Sequence, residues 1–401
     1  MKDIIYLDNN ATTRVLDEVW NDMTPYFIQN YANASSVYHQ MGREANAAIQ
    51  SARTQIADAL NCSSKEIFFN SGATESINTV IRGIFDRYHS KGNHIITVST
   101  EHKAVLSCCE QLTKKGAQIT YLPVDTKGAI DIDDLKNAIT AQTILVCIMA
   151  ANNETGICAS VEQIAAICSE KDILFFCDAT QAIGKIDIDL KKTPIDLLCL
   201  SAHKLHGPKG VGALYIRRKS KPIQIASLIV GGGQENGFRG GTYNVPAIVG
   251  FGKAISLINP AAYTTVRQNR DLLEEILGSI PEIIIHGKNC TRLPNTSYIS
   301  FKHVLASEIM TACPTLALSS GAACVTGSRE ASHVLLAMGV PKEHALAAIR
   351  FSLSILTTQE EIIKAAQLIK EASKKNTRSI ANMAALPSRP DRLIYDILKT
   401  L

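Results

Sequence analysis

Seven short apolar runs recur through the first half of the chain: "EIFFN" (66–70), "HIITVS" (94–99), "QITYLP" (118–123), "TILVCIMA" (143–150), "ILFFCDA" (173–179), "DLLCLSA" (196–202) and "GALYIRR" (212–218). Each has the length of a strand buried on both faces, where polar positions would not alternate with apolar ones. Between them lie stretches with helical spacing. In 43–60, Ala45, Ala48, Ile49, Ala52, Ile56, Ala59 and Leu60 recur at steps of three and four and form one apolar face, and 102–115 and 160–171 also read as helices. Strands alternating with helices predict an α/β fold, a mainly parallel sheet covered by helices on both sides. A Gly-rich loop, "GGGQENGFRGGTYN" (231–244), separates this part from a second section in which "EIIIHG" and "TSYISF" alternate with helices, with a boundary near 258.

In such sheets ligands sit beyond the carboxyl ends of the strands, so the residues that follow each run carry the functional information. Here those exits read "NSGATES", "STEHKA", "MAANNETG", "CDATQ" and "LSAHKLHGPKG". They bring Thr74, His102, Asn153, Asp178, Gln181, Ser201, His203 and Lys204 to one rim.

Composition narrows the classes. With 46% hydrophobic and 19% charged residues in 401, the chain has the make-up of a soluble globular protein long enough for two domains. The net charge of +4 and the lack of basic runs argue against nucleic acid as a partner. No stretch of 18 uncharged apolar residues occurs, and "MKDIIYLDNNATT" has too short an apolar run for a signal peptide, which predicts a cytoplasmic protein without a membrane partner. The eleven cysteines lie mostly in apolar runs, as buried reduced thiols do, and no pair has the C-x-x-C spacing of a zinc site, so no metal is expected. Cys324 differs: it stands in "ALSSGAACVTGS", among residues too small to bury it.

A carboxylate at one strand end and an amine after another suit pyridoxal phosphate. Lys204 would bond covalently to the cofactor aldehyde, and Asp178 would keep the ring nitrogen protonated. "SGATES" leaves a strand and opens a helix, offering backbone N–H groups and the Thr74 hydroxyl to a phosphate, with Ser201 and His203 closing the cradle. Singly, each residue has a plainer reading: Asp178 as a turn residue, Lys204 with Lys209 as solvated loop cations, Arg350 as half of an ion pair. "GPKGVG" lacks the spacing of a nucleotide-binding P-loop and precedes a strand, where such a loop precedes a helix.

The ordered series "YLDNNATT", "SGATES", "TEHKAV", "NNETG", "DATQ", "SAHKLHGPKG", "RGGT", "SSGAAC" and "IRFSLS" resembles the cysteine desulfurases, of the class V aminotransferase-like group of pyridoxal-phosphate enzymes. The resemblance covers nearly the whole chain, apart from the tail after about 375, which carries a final amphipathic segment. It implies a fold-type I architecture, with a large cofactor domain (15–257), a smaller domain built from 1–14 and 258–401, and a homodimer. By the same motifs, Ala73, Thr74, Ser201 and His203 would bind the phosphate, joined by Thr242 from the neighbouring subunit. Asn153 and Gln181 would hydrogen-bond the ring oxygen or the substrate carboxylate, His102 would lie against the ring and move protons, and Asn33 and Arg350 would hold the carboxylate of L-cysteine.

The resemblance further implies that Cys324 takes the sulfur as a persulfide and passes it to an acceptor protein such as an iron–sulfur scaffold or carrier. The segment between Cys324 and the helix expected at 332 resembles the subgroup with an extended cysteine loop. Ala34, Ala150 and Ala331 stand where the family commonly has Pro, His and Pro. A selenocysteine lyase, an aminotransferase with an incidental Cys324 and a non-catalytic scaffold remain as alternatives.

Overall fold

The structure, a computed structural model, describes residues 4–321 and 330–375. Cys324 and the amphipathic segment of the tail lie outside the described residues. The described residues form twelve strands: β1 (Ile5–Tyr6), β2 (Ile67–Asn70), β3 (His94–Val98), β4 (Gln118–Leu122), β5 (Thr143–Met149), β6 (Leu174–Asp178), β7 (Leu197–Ser201), β8 (Gly212–Ile216), β9 (Ile283–Ile285), β10 (Thr296–Phe301), β11 (Leu316–Ala317) and β12 (Ala348–Ser352).

All seven apolar runs of the first half become strands of one sheet, ordered β2-β8-β7-β6-β5-β3-β4. Every residue of β3, β5 and β7 is buried, as uninterrupted apolar runs require when helices cover both faces. The pairings from β7 across to β4 are parallel, whereas β8 runs antiparallel to both β7 and β2. The chain reverses between Ser201 and Gly212 without a crossover helix, which an antiparallel neighbour permits and a parallel one does not. The carboxyl ends of β2, β3, β5, β6 and β7 consequently share one edge.

The expected helices appear as Gln40–Leu60, Lys103–Thr113 and Val161–Glu170. In Gln40–Leu60 the buried stripe is rich in alanine, which lets another helix, Val245–Ser256, approach closely: a Cβ on Gly252 would come within 2.6 Å of Ala52 Cα. Asn61 ends the first of these helices with φ 53°, a left-handed conformation that Asn tolerates.

A second hydrophobic core lies around the antiparallel sheet β12-β10-β9, where Leu273 and Ile362, from helices Ala262–Leu277 and Gln359–Lys375, share a cluster with Ile299 and Phe351. β1 pairs in parallel with β11, and Leu7 joins this core. None of the described helices is long and apolar enough to cross a membrane.

The Gly-rich loop is pinned to the first sheet by a buried ion pair. Arg53 holds both carboxylate oxygens of Glu235, at 2.7 and 2.8 Å, and also donates to Ile67 O, while Glu235 Oε2 accepts the Phe69 N–H at 2.9 Å. Glu235 reaches this position with a φ of 48°. Removing one member strands a buried charge, so Glu235→Ala is expected to cost about 3 kcal/mol, measured by urea unfolding. Arg53→Met combined with Glu235→Leu is expected to cost less than the sum of the two single changes, since the partners are then removed together.

Candidate active site

The shared strand edge opens into a cleft of about 1040 Å³. Its floor begins at β2, whose exit turns through Gly72 into helix Ala73–Tyr88. The Ser71 and Gly72 N–H groups are taken by the Glu75 and Asn70 side chains, and the first intrahelical bond runs from Ser76 to Gly72. The N–H groups of Ala73, Thr74 and Glu75 are therefore left for a ligand, at the positive end of a 16-residue helix. Gly72 has φ 144°, a conformation side chains rarely adopt, and it places the helix start beside Ser201, whose Oγ would lie in ordinary contact, 3.4 Å, with a Cβ there. Arg239 pairs with Glu75 at 2.9 Å and draws its carboxyl below the usual range against the effect of burial.

Asp178 ends β6 and is buried. Its Oδ1 accepts the Thr180 N–H at 2.9 Å and the thiol of Cys199, its neighbour in register on β7, at 3.4 Å. Both bonds fall on one oxygen and leave Oδ2 for a ligand. Cys199 was hidden in the sequence because it sits inside an apolar run.

Lys204 follows β7 and donates to the carbonyls of Asn10, at 2.5 Å, and Ala11, at 2.8 Å. Burial and the Arg350 charge lower its ammonium to about 8, against the pull of Asp178 and Asp8. The same environment pushes His203 down to about 4, through burial first and then Lys204, Lys209 and Lys185, so its ring is neutral; Nδ1 lies 3.2 Å from the Thr12 hydroxyl. His102 caps helix Lys103–Thr113, its Nδ1 accepting the Ala104 N–H at 3.1 Å, which leaves Nε2 for the cleft. Although its edge is exposed there, the walls remove enough water, with Lys204 and Lys103 adding repulsion, to hold it below the ordinary imidazole range against the attraction of Asp178.

Gln181 and Arg350 are buried at the cleft wall. Gln181 gives Nε2 to Asn10 O at 2.9 Å, and its Oε1 accepts from the half-buried Lys185, whose amine burial and then the Lys204 charge lower to about 7. Arg350 donates to Asn153 O at 3.0 Å and to Asp8 at 2.7 Å, and its Nε, buried, has no partner. Asn153 lines the same cleft.

Two expected residues lie elsewhere. Thr242 is exposed and lines a separate, smaller cavity beside Tyr243 and Gly210. Asn33 is exposed and outside the cleft, its Oδ1 accepting the Ser35 N–H at 2.9 Å to close a turn. Cys324 lies outside the described residues, but Gly321 and Glu330, on either side of its segment, both line the cleft.

Asn10 is the residue that sequence reasoning passed over. It was quoted in "YLDNNATT" without a role, yet it is only 1% exposed, and its carbonyl receives both Lys204 and Gln181. Its amide accepts from Asn295 and donates to Thr296 and Asn153 O. Glu154, also missed, is buried against the hydroxyls of Ser332 and Tyr298.

The arrangement therefore combines an anion cradle, a buried carboxylate with one free oxygen, and an amine with a depressed pKa. Similar proteins carry related names. The chain is 43% identical over 375 residues to the cysteine desulfurase IscS of Ehrlichia chaffeensis, covering 92% of this chain and 91% of that protein. Among solved structures it is similar to a NifS-like protein, with a TM-score of 0.87 and 38% identity over 93% of this chain and 100% of that one. It is also similar to SspA in complex with cysteine, with a TM-score of 0.79 and 36% identity over 87% and 98% of the two chains. Residues 5–364 match the aminotransferase class-V model, and the chain belongs to that family, whose enzymes depend on pyridoxal phosphate.

Proposed function

We propose that the chain is a cysteine desulfurase, converting L-cysteine to L-alanine while Cys324 takes the sulfur as a persulfide. The observation that carries the reading is the convergence of Lys204, Asp178, His102 and the Gly72–Thr74 helix start on one cleft. The names of the similar proteins, desulfurases and a cysteine complex among them, point the same way.

Pyridoxal phosphate fits the residues present: the helix that starts at Ala73 leaves its first N–H groups for a phosphate, and its start turns on the φ of 144° at Gly72, which side chains rarely adopt. Bound there, it supplies an electron sink for the bond changes at the substrate. Ala73, Thr74, Ser201 and His203 hold the phosphate. Thr242 adds its hydroxyl from a second copy of the chain. Asp178 Oδ2 would keep the cofactor's ring nitrogen protonated, and Gln181 and Asn153 would offer it polar groups from the cleft wall. Lys204 Nζ, with a pKa of about 8, is partly unprotonated at neutral pH and can hold the proton taken from the substrate's α-carbon. His102 Nε2 is placed to relay protons. Arg350 and Asn33 are assigned to the substrate carboxylate, the Arg350 guanidinium supplying its positive charge at the cleft wall.

Cys324 lies three residues beyond Gly321, about 10 Å of extended chain, so a thiol there can reach the cleft. Its sulfur attacks the substrate sulfur, the new S–S bond replaces the substrate C–S bond, and the carbon takes a proton to become alanine. The outer sulfur then passes to an acceptor protein, which we read as an iron–sulfur scaffold or carrier. An oxidising compartment would consume such a thiol, and this supports a cytoplasmic setting. We read the chain as two domains, 15–257 and 1–14 with 258–401, each with its own hydrophobic core. A homodimer is supported by the exposed apolar side chains Phe27, Ile28, Tyr31, Tyr38 and Val230, and by Thr242, which is exposed and lines a cavity other than its own cleft.

Cys324→Ala is expected to retain the visible cofactor band and lose persulfide formation; undiminished sulfide release from L-cysteine would overturn the assignment. Covalent uptake of pyridoxal phosphate by the apoprotein, trapped with borohydride, is expected to rise about tenfold from pH 7 to pH 9 as Lys204 loses its proton, and to vanish in Lys204→Ala. A flat or falling profile would point to another amine. Val230→Arg with Tyr38→Glu is expected to shift the mass found by light scattering from two chains to one.

A further inference from the structure

Residues far apart in sequence meet at the two described ends of the segment that carries Cys324. Glu154 stands in the loop after β5 and is only 3% exposed. Its Oε2 accepts a short hydrogen bond from the hydroxyl of Ser332, just past the segment, and Ser332 Oγ in turn caps helix His333–Ala337 by accepting the Leu335 N–H at 3.1 Å. On the other side Tyr298, fully buried on β10, donates its hydroxyl to Ser320 O at 2.7 Å. Gly321 packs directly on this group. It has φ 78°, and an added Cβ would collide with the Tyr298 hydroxyl and stand 2.8 Å from Glu154 Oε2.

One carboxyl thus contacts both ends: Ser332 by a direct bond, and Ser320 and Gly321 through Tyr298. Burial pushes the Glu154 carboxyl up to about 7, against the pull of Ser332, Arg350, Tyr298 and Lys103. Near neutral pH it therefore carries a proton part of the time and can donate to a hydroxyl as well as accept from one. A buried acid held among hydroxyls at this point closes a loop between the two ends.

We propose that Glu154 is a positioning residue that fastens both ends of the Cys324 segment, Ser320–Gly321 and Ser332, to the loop after β5, and so sets where the thiol meets the substrate sulfur. The proposal deepens the desulfurase reading and rests on it. Asn153, the neighbour of Glu154, receives Arg350 through its carbonyl, so the fastening point and the group assigned to the substrate carboxylate share one short stretch of backbone. The two anchorages thus attach to adjacent residues, one through the Glu154 side chain and the other through the Asn153 carbonyl.

The test uses the full-length holoenzyme and three readouts: the cofactor absorption band, the rate of iodoacetamide alkylation of Cys324 without substrate, and single-turnover persulfide formation on Cys324, the last two by mass spectrometry. Ser332→Ala and Gly321→Ala are expected to leave the band unchanged, to raise Cys324 alkylation severalfold, and to slow persulfide formation by about tenfold or more. Glu154→Gln keeps an oxygen to accept from Ser332 and is expected to retain most of the rate, whereas Glu154→Ala does not. Tyr298→Phe, which deletes one hydroxyl, replaces Gly321→Ala if that variant does not fold.

Alkylation and persulfide rates within about twofold of the parent in Ser332→Ala and in the Gly321 or Tyr298 variant would overturn the proposal, as would equal damage in Glu154→Gln and Glu154→Ala. If Cys324 is not the sulfur acceptor, Cys324→Ala still releases sulfide, while the alkylation comparison stands on its own.

Discussion

Asn10 is the residue on which the rest of the site depends, because it spends every hydrogen-bonding group it has on joining the two sheets. Its N–H goes to Ser352 at the end of β12, its amide meets Asn295, Thr296 and the Asn153 carbonyl, and its own carbonyl takes the ends of Gln181 and Lys204. Its neighbours extend the seam: Asn9 pairs with Ser352 O, and Thr13 with the backbone of His203. The N-terminal segment is thus a strap laid between the cores, and the amine of Lys204 is held by backbone carbonyls that belong to it. In a buried setting such polar groups are costly unless every one is satisfied, so the strap has essentially one register.

The strap also explains the electrostatics of the cleft. Lys204, Lys185, His203 and Arg350 are gathered within one poorly hydrated region, where burial lowers both lysines first, and then the Arg350 charge acts on Lys204 and the Lys204 charge on Lys185. Asp178 and Asp8 offset part of that positive charge. Carbonyl oxygens, which bring partial charge without titrating, hold Lys204 in place while leaving its pKa low. A carboxylate in the same place would have raised the pKa and removed the free amine. What the region still favours is an anionic ligand, whose charge would act in a medium that screens it weakly.

Much of this was legible in the sequence, for definite reasons. Strands buried on both faces write themselves as unbroken apolar runs, so the inner strands could be read; the edges β2 and β4 are only partly buried but keep runs long enough to see, and the polar exits placed Thr74, His102, Asp178, Ser201 and Lys204 at one rim. The reversed direction of β8 was not legible, because an apolar run has no arrow; only the connection from Ser201 to Gly212 decides it. β1 and β11, two residues each, are too short to have a period. Asn10 escaped because its work is done largely by a backbone carbonyl, and Glu154, Tyr298 and Ser332 because three distant stretches must fold before they meet. Asn33 was placed by resemblance alone, and its side chain here serves a local turn.

The described cysteines show how one chain can hold many thiols and keep most of them unreactive. Burial raises nine of the ten described thiols, with Cys108 and Cys158 at about 11, Cys62 and Cys168 at about 12, and Cys147, Cys177 and Cys199 pushed well up by desolvation and neighbouring carboxylates. At neutral pH a thiol at 11 is ionised about one part in ten thousand, too little to compete as a nucleophile. These cysteines act as small apolar side chains, and one of them, Cys199, steers Asp178 through its S–H. A sulfur-accepting cysteine needs the opposite surroundings, with water close by and neighbours too small to bury it. The composition of "ALSSGAACVTGS", small and polar around Cys324, is of that kind.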